Sequence, residues 1–139
     1  MSKILITGGA GFIGYHVAKR LADQGHEIVL VDNFLRQATG HKDSDLDSLL
    51  SQPNTAMIQA DLTDPASYKK IGAGYDYLYH LAGINGFRQF MEIPHEVLRV
   101  GTIATLNILE WFHSKNNKTG AKILFASTNE VFIGAEEAF

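Results

Sequence analysis

Residues 3–14 read Lys-Ile-Leu-Ile-Thr-Gly-Gly-Ala-Gly-Phe-Ile-Gly, an apolar run set directly against a glycine cluster and the start of a helical pattern. This junction constrains the fold more than any other stretch. Ile4, Leu5 and Ile6 form the short continuous apolar run expected of a parallel strand buried on both faces. Downstream, Ile13, Val17 and Leu21 recur at helical spacing and Gly25 follows as a stop signal. A second apolar run, Ile28 to Val31, ends in Asp32. The predicted order is strand, helix, strand, with a carboxylate at the tip of the second strand.

The glycines fit two spacings. Gly9-x-Gly11-x-x-Gly14 satisfies the literal G-x-G-x-x-G pattern, and Gly8-x-x-Gly11-x-x-Gly14 fits an alternative equally well. Glycine at such positions permits a tight turn, close approach of phosphates to the backbone and close helix–strand contact. A pyrophosphate is held well by unpaired N–H groups at a helix N-terminus. Between a strand and a helix, the cluster therefore points to a dinucleotide, with Gly8, Gly11, Phe12, Ile13 and Gly14 as its candidate phosphate-binding residues. Asp32 is placed to accept hydrogen bonds from the adenosine ribose hydroxyls. The bland reading is an Asp that merely closes a strand into a turn. A carboxylate at this place repels a 2′-phosphate and favours NAD over NADP; Arg36 argues the other way, because an Arg pairs with that phosphate.

Composition narrows the class. The 139 residues are 45% hydrophobic, enough for one compact core and too few for two ordinary domains. A net charge of −3 without a basic block offers no footprint for nucleic acid or an anionic membrane, and neither partner is expected. The absence of cysteine excludes thiolate zinc sites and a Cys nucleophile, and is compatible with a reducing, cytoplasmic location. No secretory pattern precedes the first strand, and no apolar run has membrane-spanning length. The six His residues show no ligand spacing, so no metal is expected.

The remaining chain continues the alternation. A polar stretch from Phe34 to Asn54 contains one short helical pattern around Leu46, Leu49 and Leu50. A third strand is predicted at Ala56–Ala60, with Asp61-Leu62 at its end. There a carboxylate suits the adenine amino group and Leu62 the ring face; alternatively Asp61 starts a turn. Asp64-Pro65 opens a helix that stops near Gly72. Tyr75 to Gly83 reads as a fourth strand running into the small-residue turn Leu81-Ala82-Gly83, against which a flat cofactor can lie. Pro94 to His113 carries a helix apolar nearly all round, which must be buried by more than one neighbour. Lys122 to Ala126 is the fifth strand, ending at Ser127-Thr128-Asn129-Glu130.

In this order and at these intervals, Thr7 to Gly14, Val31-Asp32-Asn33, Asp61-Leu62, His80-Leu81-Ala82-Gly83 and Ser127 to Phe132 resemble the extended short-chain dehydrogenase/reductases. The nearest branch looks like the NAD-dependent nucleotide-sugar epimerases and dehydratases. The resemblance implies an α/β fold with a doubly wound parallel sheet of about five strands in order 3-2-1-4-5 and helices on both faces. Residues 1–139 would form one NAD(P)-binding Rossmann domain, incomplete relative to the family, without its later strands and substrate domain. It implies cofactor contacts at Gly8, Gly11, Phe12, Ile13, Gly14, Asp32, Asn33, Asp61, Leu62, Leu81, Ala82 and Gly83, and a nucleotide sugar as substrate.

Enzymes of this kind oxidise a sugar carbon by hydride transfer and return the hydride after the intermediate has changed. Thr128 occupies the position that hydrogen-bonds the substrate hydroxyl. Glu130 stands where dehydratase-like members place an acid or base, but Asn129 beside it cannot ionise, which weakens a dehydratase reading. The Tyr-x-x-x-Lys pair that the resemblance calls for is not found after Thr128, and Tyr15 to Lys19 matches its spacing only by coincidence in the first helix. Gly101 departs from the Asn usual at that place.

Three readings follow: the cofactor half of an epimerase or dehydratase, not catalytic alone; a non-catalytic NAD-binding module that regulates or is completed by a partner; or a folded remnant that binds nothing well, against which the retained glycines and Asp32 argue. In the order 3-2-1-4-5 the fifth strand is an apolar edge, which pairs or aggregates. Together with the all-round apolar helix it predicts a homo-oligomer. Arg88 is open to two roles, facing a sugar-nucleotide diphosphate or lying solvated on the surface.

Overall fold

The computed structural model describes residues 1–35 and 43–127. Its elements run β1 (Lys3–Thr7), α1 (Phe12–Asp23), β2 (Glu27–Asp32), α2 (Asp43–Leu50), β3 (Thr55–Gln59), a 3₁₀ helix (Pro65–Lys70), β4 (Tyr77–His80), α3 (Phe87–Glu92), α4 (Pro94–Arg99), a π-helical turn (Val100–Ala104), α5 (Thr105–Lys115) and β5 (Lys122–Phe125). The strands form one sheet in the order β3-β2-β1-β4-β5, every pairing parallel. This is the doubly wound order that the sequence predicts.

The period-two geometry of the strands separates two cores on opposite faces of the sheet. Ile4, Ile6, Ile28 and Leu30 pack with Tyr15, Ala18 and Ala22 of α1 and Leu49 of α2. Leu5, Val29, Val31 and Leu78 pack with Tyr68, Tyr75 and Ala104, Ile108 and Trp111 of the long helix. Each fully buried aliphatic side chain contributes roughly 1.5–3 kcal/mol. Central strands buried on both faces explain the unbroken apolar runs.

Two helices depart from their sequence patterns. The buried stripe of α1 is Gly14, Tyr15, Ala18 and Ala22, while Ile13 is 62% exposed and Val17 and Leu21 only flank the core. The small residues let the helix axis lie close to the sheet, which rotates the larger aliphatics to its sides. The predicted Pro94 to His113 helix is helical through Lys115 but carries the π-turn in its middle. It buries Ala104, Ile108 and Trp111, whereas Leu98, Leu106 and Leu109 lie exposed on the other side.

Local signals account for the connections. Asp64 caps the 3₁₀ helix by accepting the Ala66 amide at 2.9 Å, and Pro65 takes the first position, where no N–H is needed. The fourth strand is shorter than its apolar run because Tyr75 belongs to a separate clamp. Asn116, 1% exposed, accepts the Tyr75 amide at 2.8 Å through Oδ1 and donates Nδ2 to the Tyr75 carbonyl at 3.0 Å. One side chain thus replaces a neighbouring strand. The Tyr75 hydroxyl donates to the Ile71 carbonyl, and burial pushes its pKa up to about 12.

Candidate functional site

The C-terminal ends of β1, β2, β3 and β4 lie along one edge of the sheet, and the sequence-predicted binding residues collect there. The loop after β1 is drawn back over β2 by its own amides: Gly8 and Gly9 both donate to the Val31 carbonyl, at 2.8 and 3.2 Å. Gly8 has φ +69°, and a Cβ on it would lie 2.9 Å from the Ala82 nitrogen. On Gly14 a Cβ would lie 2.2 Å from the Gly8 oxygen, and on Gly9 2.7 Å from Leu30 Cβ. Gly8, Gly9 and Gly14 are therefore required by the protein's own packing, so both glycine spacings have structural content.

Gly11 is different. Among the described residues its Cβ would meet, within 4 Å, only the Gly8 oxygen, at 3.1 Å, a contact that asks that carbonyl to give by a few tenths of an ångström. It sits at the N-cap of α1 with no side-chain cap. Among the described residues the first-turn amides of Phe12, Ile13 and Gly14 find no acceptor, whereas Tyr15 donates to Gly11 at 2.9 Å. Such N–H groups at the positive end of a 12-residue helix dipole are the donor set that a pyrophosphate needs.

At the tip of β2 the Asp32 carboxylate is held in place. One oxygen accepts the Ala10 amide at 3.1 Å and the other the Phe34 amide at 2.9 Å. Each carboxylate oxygen retains acceptor capacity for a hydroxyl. Asn33 turns the chain by accepting the Leu35 amide at 3.1 Å, and Phe34 takes the unusual φ of 57°.

Asp61 lies beyond β3, next to the tip of β2: the Ala60 amide donates to the Asp32 carbonyl at 2.9 Å. Its Oδ1 accepts both the amide and the hydroxyl of Thr63 at 2.8 Å, which makes it a turn residue; Arg99 in turn donates to that hydroxyl at 3.1 Å. Leu62, 5% exposed, is buried in the core rather than offering a face to a ring. Its carbonyl accepts from Tyr68 and Asn107.

The turn Leu81-Ala82-Gly83 lies beside Gly8, and none of the described residues stands within 4 Å of a Cβ on Gly83. Here the structure adds residues for which sequence reasoning assigned no role. The Leu81 and Ala82 amides both donate to Thr7 Oγ1 at 3.2 Å, and Thr7 meets His80, whose other ring nitrogen meets Thr105. Burial alone pushes the His80 pKa down to about 4, so the ring is neutral. The available signal was two polar residues, Thr7 and His80, inside apolar strand runs.

Thr128 and Glu130, like Arg36, lie outside the described residues. Arg88 is on the exposed α3, paired with Glu92 at 2.8 Å. Among the described residues no group of His, Cys, Asp or Glu is arranged to hold a metal ion, and no helix is long and apolar enough to cross a membrane.

The model of the NAD dependent epimerase/dehydratase family matches residues 4–138. The chain is 38% identical over 130 residues to UDP-glucuronic acid decarboxylase 1 of Danio rerio, covering 94% of this chain and 28% of that protein. The structure of the UDP-Glc/GlcNAc 4-epimerase from Campylobacter jejuni superposes with a TM-score of 0.81 at 26% identity, over 95% of this chain and 39% of that one. The Bordetella bronchiseptica enzyme WbmF, solved in complex with NAD+, gives a TM-score of 0.76 at 25% identity, over 93% of this chain and 37% of that one. The chain thus spans well under half the length of the proteins it matches.

Proposed function

The chain belongs to the NAD dependent epimerase/dehydratase family, and on that premise we propose that residues 1–139 form the NAD-binding domain of an enzyme that works on a nucleotide sugar. The carrying observation is Gly11: among the described residues its Cβ position meets only the Gly8 carbonyl oxygen, and three first-turn amides of α1 that find no acceptor among those residues stand next to it. Gly11 is crowded less than Gly8, Gly9 or Gly14, and the side without neighbours leaves room for a ligand.

In this reading the Phe12, Ile13 and Gly14 amides bind the pyrophosphate and Gly8 closes the loop. Asp32, with Asn33 shaping its turn, takes the ribose hydroxyls and disfavours NADP by charge. Asp61 faces the adenine end, and Leu81, Ala82 and Gly83 lie along the nicotinamide half. Bound NAD supplies the hydride acceptor for oxidation at a sugar carbon. Thr128 is assigned the hydrogen bond to the substrate hydroxyl and Glu130 a proton-transfer role.

Calorimetric titration with NAD and NADP tests this. Wild type is expected to bind NAD more tightly than NADP, with Asp32→Ala and Gly11→Val both weakening NAD by tenfold or more, about 1.4 kcal/mol or above. Unchanged affinity in both variants sinks the assignment.

A second reading, a nucleotide-binding module completed by a partner chain, is favoured by exposed apolar surface. Leu124 and Phe125 on the edge strand β5 are 49% and 55% exposed, and Leu98 and Leu106 on the long helix 68% and 61%. Under this second reading a partner chain, a second copy of this one included, covers these surfaces.

A further inference from the structure

His80 ends β4 and is 3% exposed, with both ring nitrogens bonded. Nδ1 lies 2.8 Å from Thr7 Oγ1 and Nε2 3.1 Å from Thr105 Oγ1. The bonds of the two threonines set the direction of both contacts. The Thr105 hydroxyl donates its single proton to the Gly101 carbonyl at 2.6 Å, so its oxygen accepts from Nε2–H. Nδ1 is then the bare nitrogen, and the Thr7 hydroxyl donates to it. Thr7 Oγ1 keeps its lone pairs for the Leu81 and Ala82 amides; the Leu81 amide is shared with the Thr7 carbonyl, also at 3.2 Å, so Ala82 is the amide that depends on the hydroxyl. Among the described residues no buried side-chain polar atom lacks a partner, and Phe125 stacks on the ring with centroids 5.8 Å apart.

We infer that His80 is a positioning residue for the cofactor-facing turn: in one neutral tautomer it joins the Leu81 and Ala82 amides, through Thr7, to the π-turn carbonyl of Gly101, through Thr105. This rests on the dinucleotide reading above, and it places control of that site's wall in a residue buried beneath it.

The physical argument is one of proton count. If the proton sat on Nδ1, it would oppose the Thr7 hydroxyl, which would have to turn away and give up its geometry toward both amides. Nε2 would at the same time lose its hydrogen and face an oxygen whose proton is committed to Gly101. Either fault leaves buried groups unpaired, the costly outcome for a polar network in a low-dielectric interior. The consequence reaches the glycine loop because the Leu81–Ala82 peptide is the surface against which Gly8 packs, within 2.9 Å of where a Cβ would be. Gly8 in turn accepts the Gly11 amide at 3.1 Å. Hydrogen bonds thus run from the π-turn carbonyl across β4 and β1 to the Leu81 and Ala82 amides, and the last step to the phosphate cradle is the packing of Gly8 against that turn.

The test needs three readouts on ¹⁵N-labelled protein: the His80 tautomer from long-range ¹H–¹⁵N correlation, amide exchange at Leu81 and Ala82, and NAD affinity. Wild type is expected to show Nε2 protonated and Nδ1 bare. Thr105→Val, which removes the acceptor without changing shape, is expected to mix the tautomers, speed exchange about tenfold at Ala82 and less at Leu81, whose amide the Thr7 carbonyl still accepts, and weaken NAD about fivefold. Thr105→Ser is expected to return all three to wild-type values, which a mere packing role for the side chain would not produce. An Nδ1-protonated or charged ring in wild type overturns the inference without any variant. So does Thr105→Val with unchanged tautomer and exchange. If wild type binds no NAD the dinucleotide reading falls, while the tautomer and exchange results still decide the coupling.

Discussion

Gly14 lies so close beneath Gly8 that a Cβ on it would stand 2.2 Å from the Gly8 carbonyl oxygen. That oxygen already accepts the Gly11 amide, so it has no freedom to retreat. Gly14→Ala is expected to cost about 3 kcal/mol or more of stability, because backbone rather than a flexible side chain must move. Gly11→Ala, whose Cβ would stand 3.1 Å from the same oxygen, is expected to cost about 1–2 kcal/mol, less than Gly14→Ala, while losing NAD affinity. Urea denaturation set beside calorimetry separates the two effects; a Gly11 variant that loses stability and keeps affinity reverses the roles assigned here.

His80 predicts an acid limb in stability. Its pKa lies near 6.5 in the unfolded chain and is pushed down to about 4 by burial when folded. Above pH 6.5 both states are neutral and the network contributes fully. As pH falls below that, the unfolded chain takes up the proton first, and stability drains until about pH 4, a loss of about 3 kcal/mol. Denaturation midpoints from pH 8 to 4 are expected to fall more steeply in wild type than in His80→Gln. Parallel curves would show that the ring carries no linkage.

Asn116 bonds both the amide and the carbonyl of Tyr75 from a site only 1% exposed. Asn116→Ala leaves two buried backbone groups unpaired, and about 2–4 kcal/mol of destabilisation is expected. Asn116→Asp keeps the acceptor and loses the donor, so it is expected to be destabilising as well. A neutral alanine variant in thermal unfolding would mean that water replaces the clamp.

Leu106 and Leu109 stand 61% and 41% exposed on α5, opposite the buried Ile108 and Trp111. Leu106→Glu with Leu109→Lys is expected to shift the chain toward monomer in light scattering without lowering its unfolding midpoint. Wild type that is monomeric at high concentration contradicts self-association through this face.

Much of the site was legible because its signals are local. The strand before Gly8, the helix after Gly11, the carboxylate at Asp32 and the cap at Asp64 each follow from periodicity or from the chemistry of one residue. The exposed Ile13, the buried Leu62 and the π-turn at Val100–Ala104 were not, since each depends on how closely an element sits on its neighbour. A period of apolar residues reports that a face exists; it does not report the rotation that small residues such as Ala18 and Ala22 permit.

The sequence by itself determined the alternation of strand and helix and the place of the glycine loop between the first strand and helix, because apolar spacing and glycine positions act over a few residues. The strand order 3-2-1-4-5 came from the resemblance of its motifs to a family, and the sheet has that order. Only the tertiary structure decided that a side chain on Gly14 would collide with the Gly8 oxygen while one on Gly11 would press on it far less, and that Thr7, His80 and Thr105 form one hydrogen-bonded chain. Thr7 and His80 are separated by 73 positions along the chain, and their partnership exists only because β1 and β4 lie side by side. Hydrogen bonds are directional and short, so which polar groups satisfy one another is settled by packing after the strands have paired.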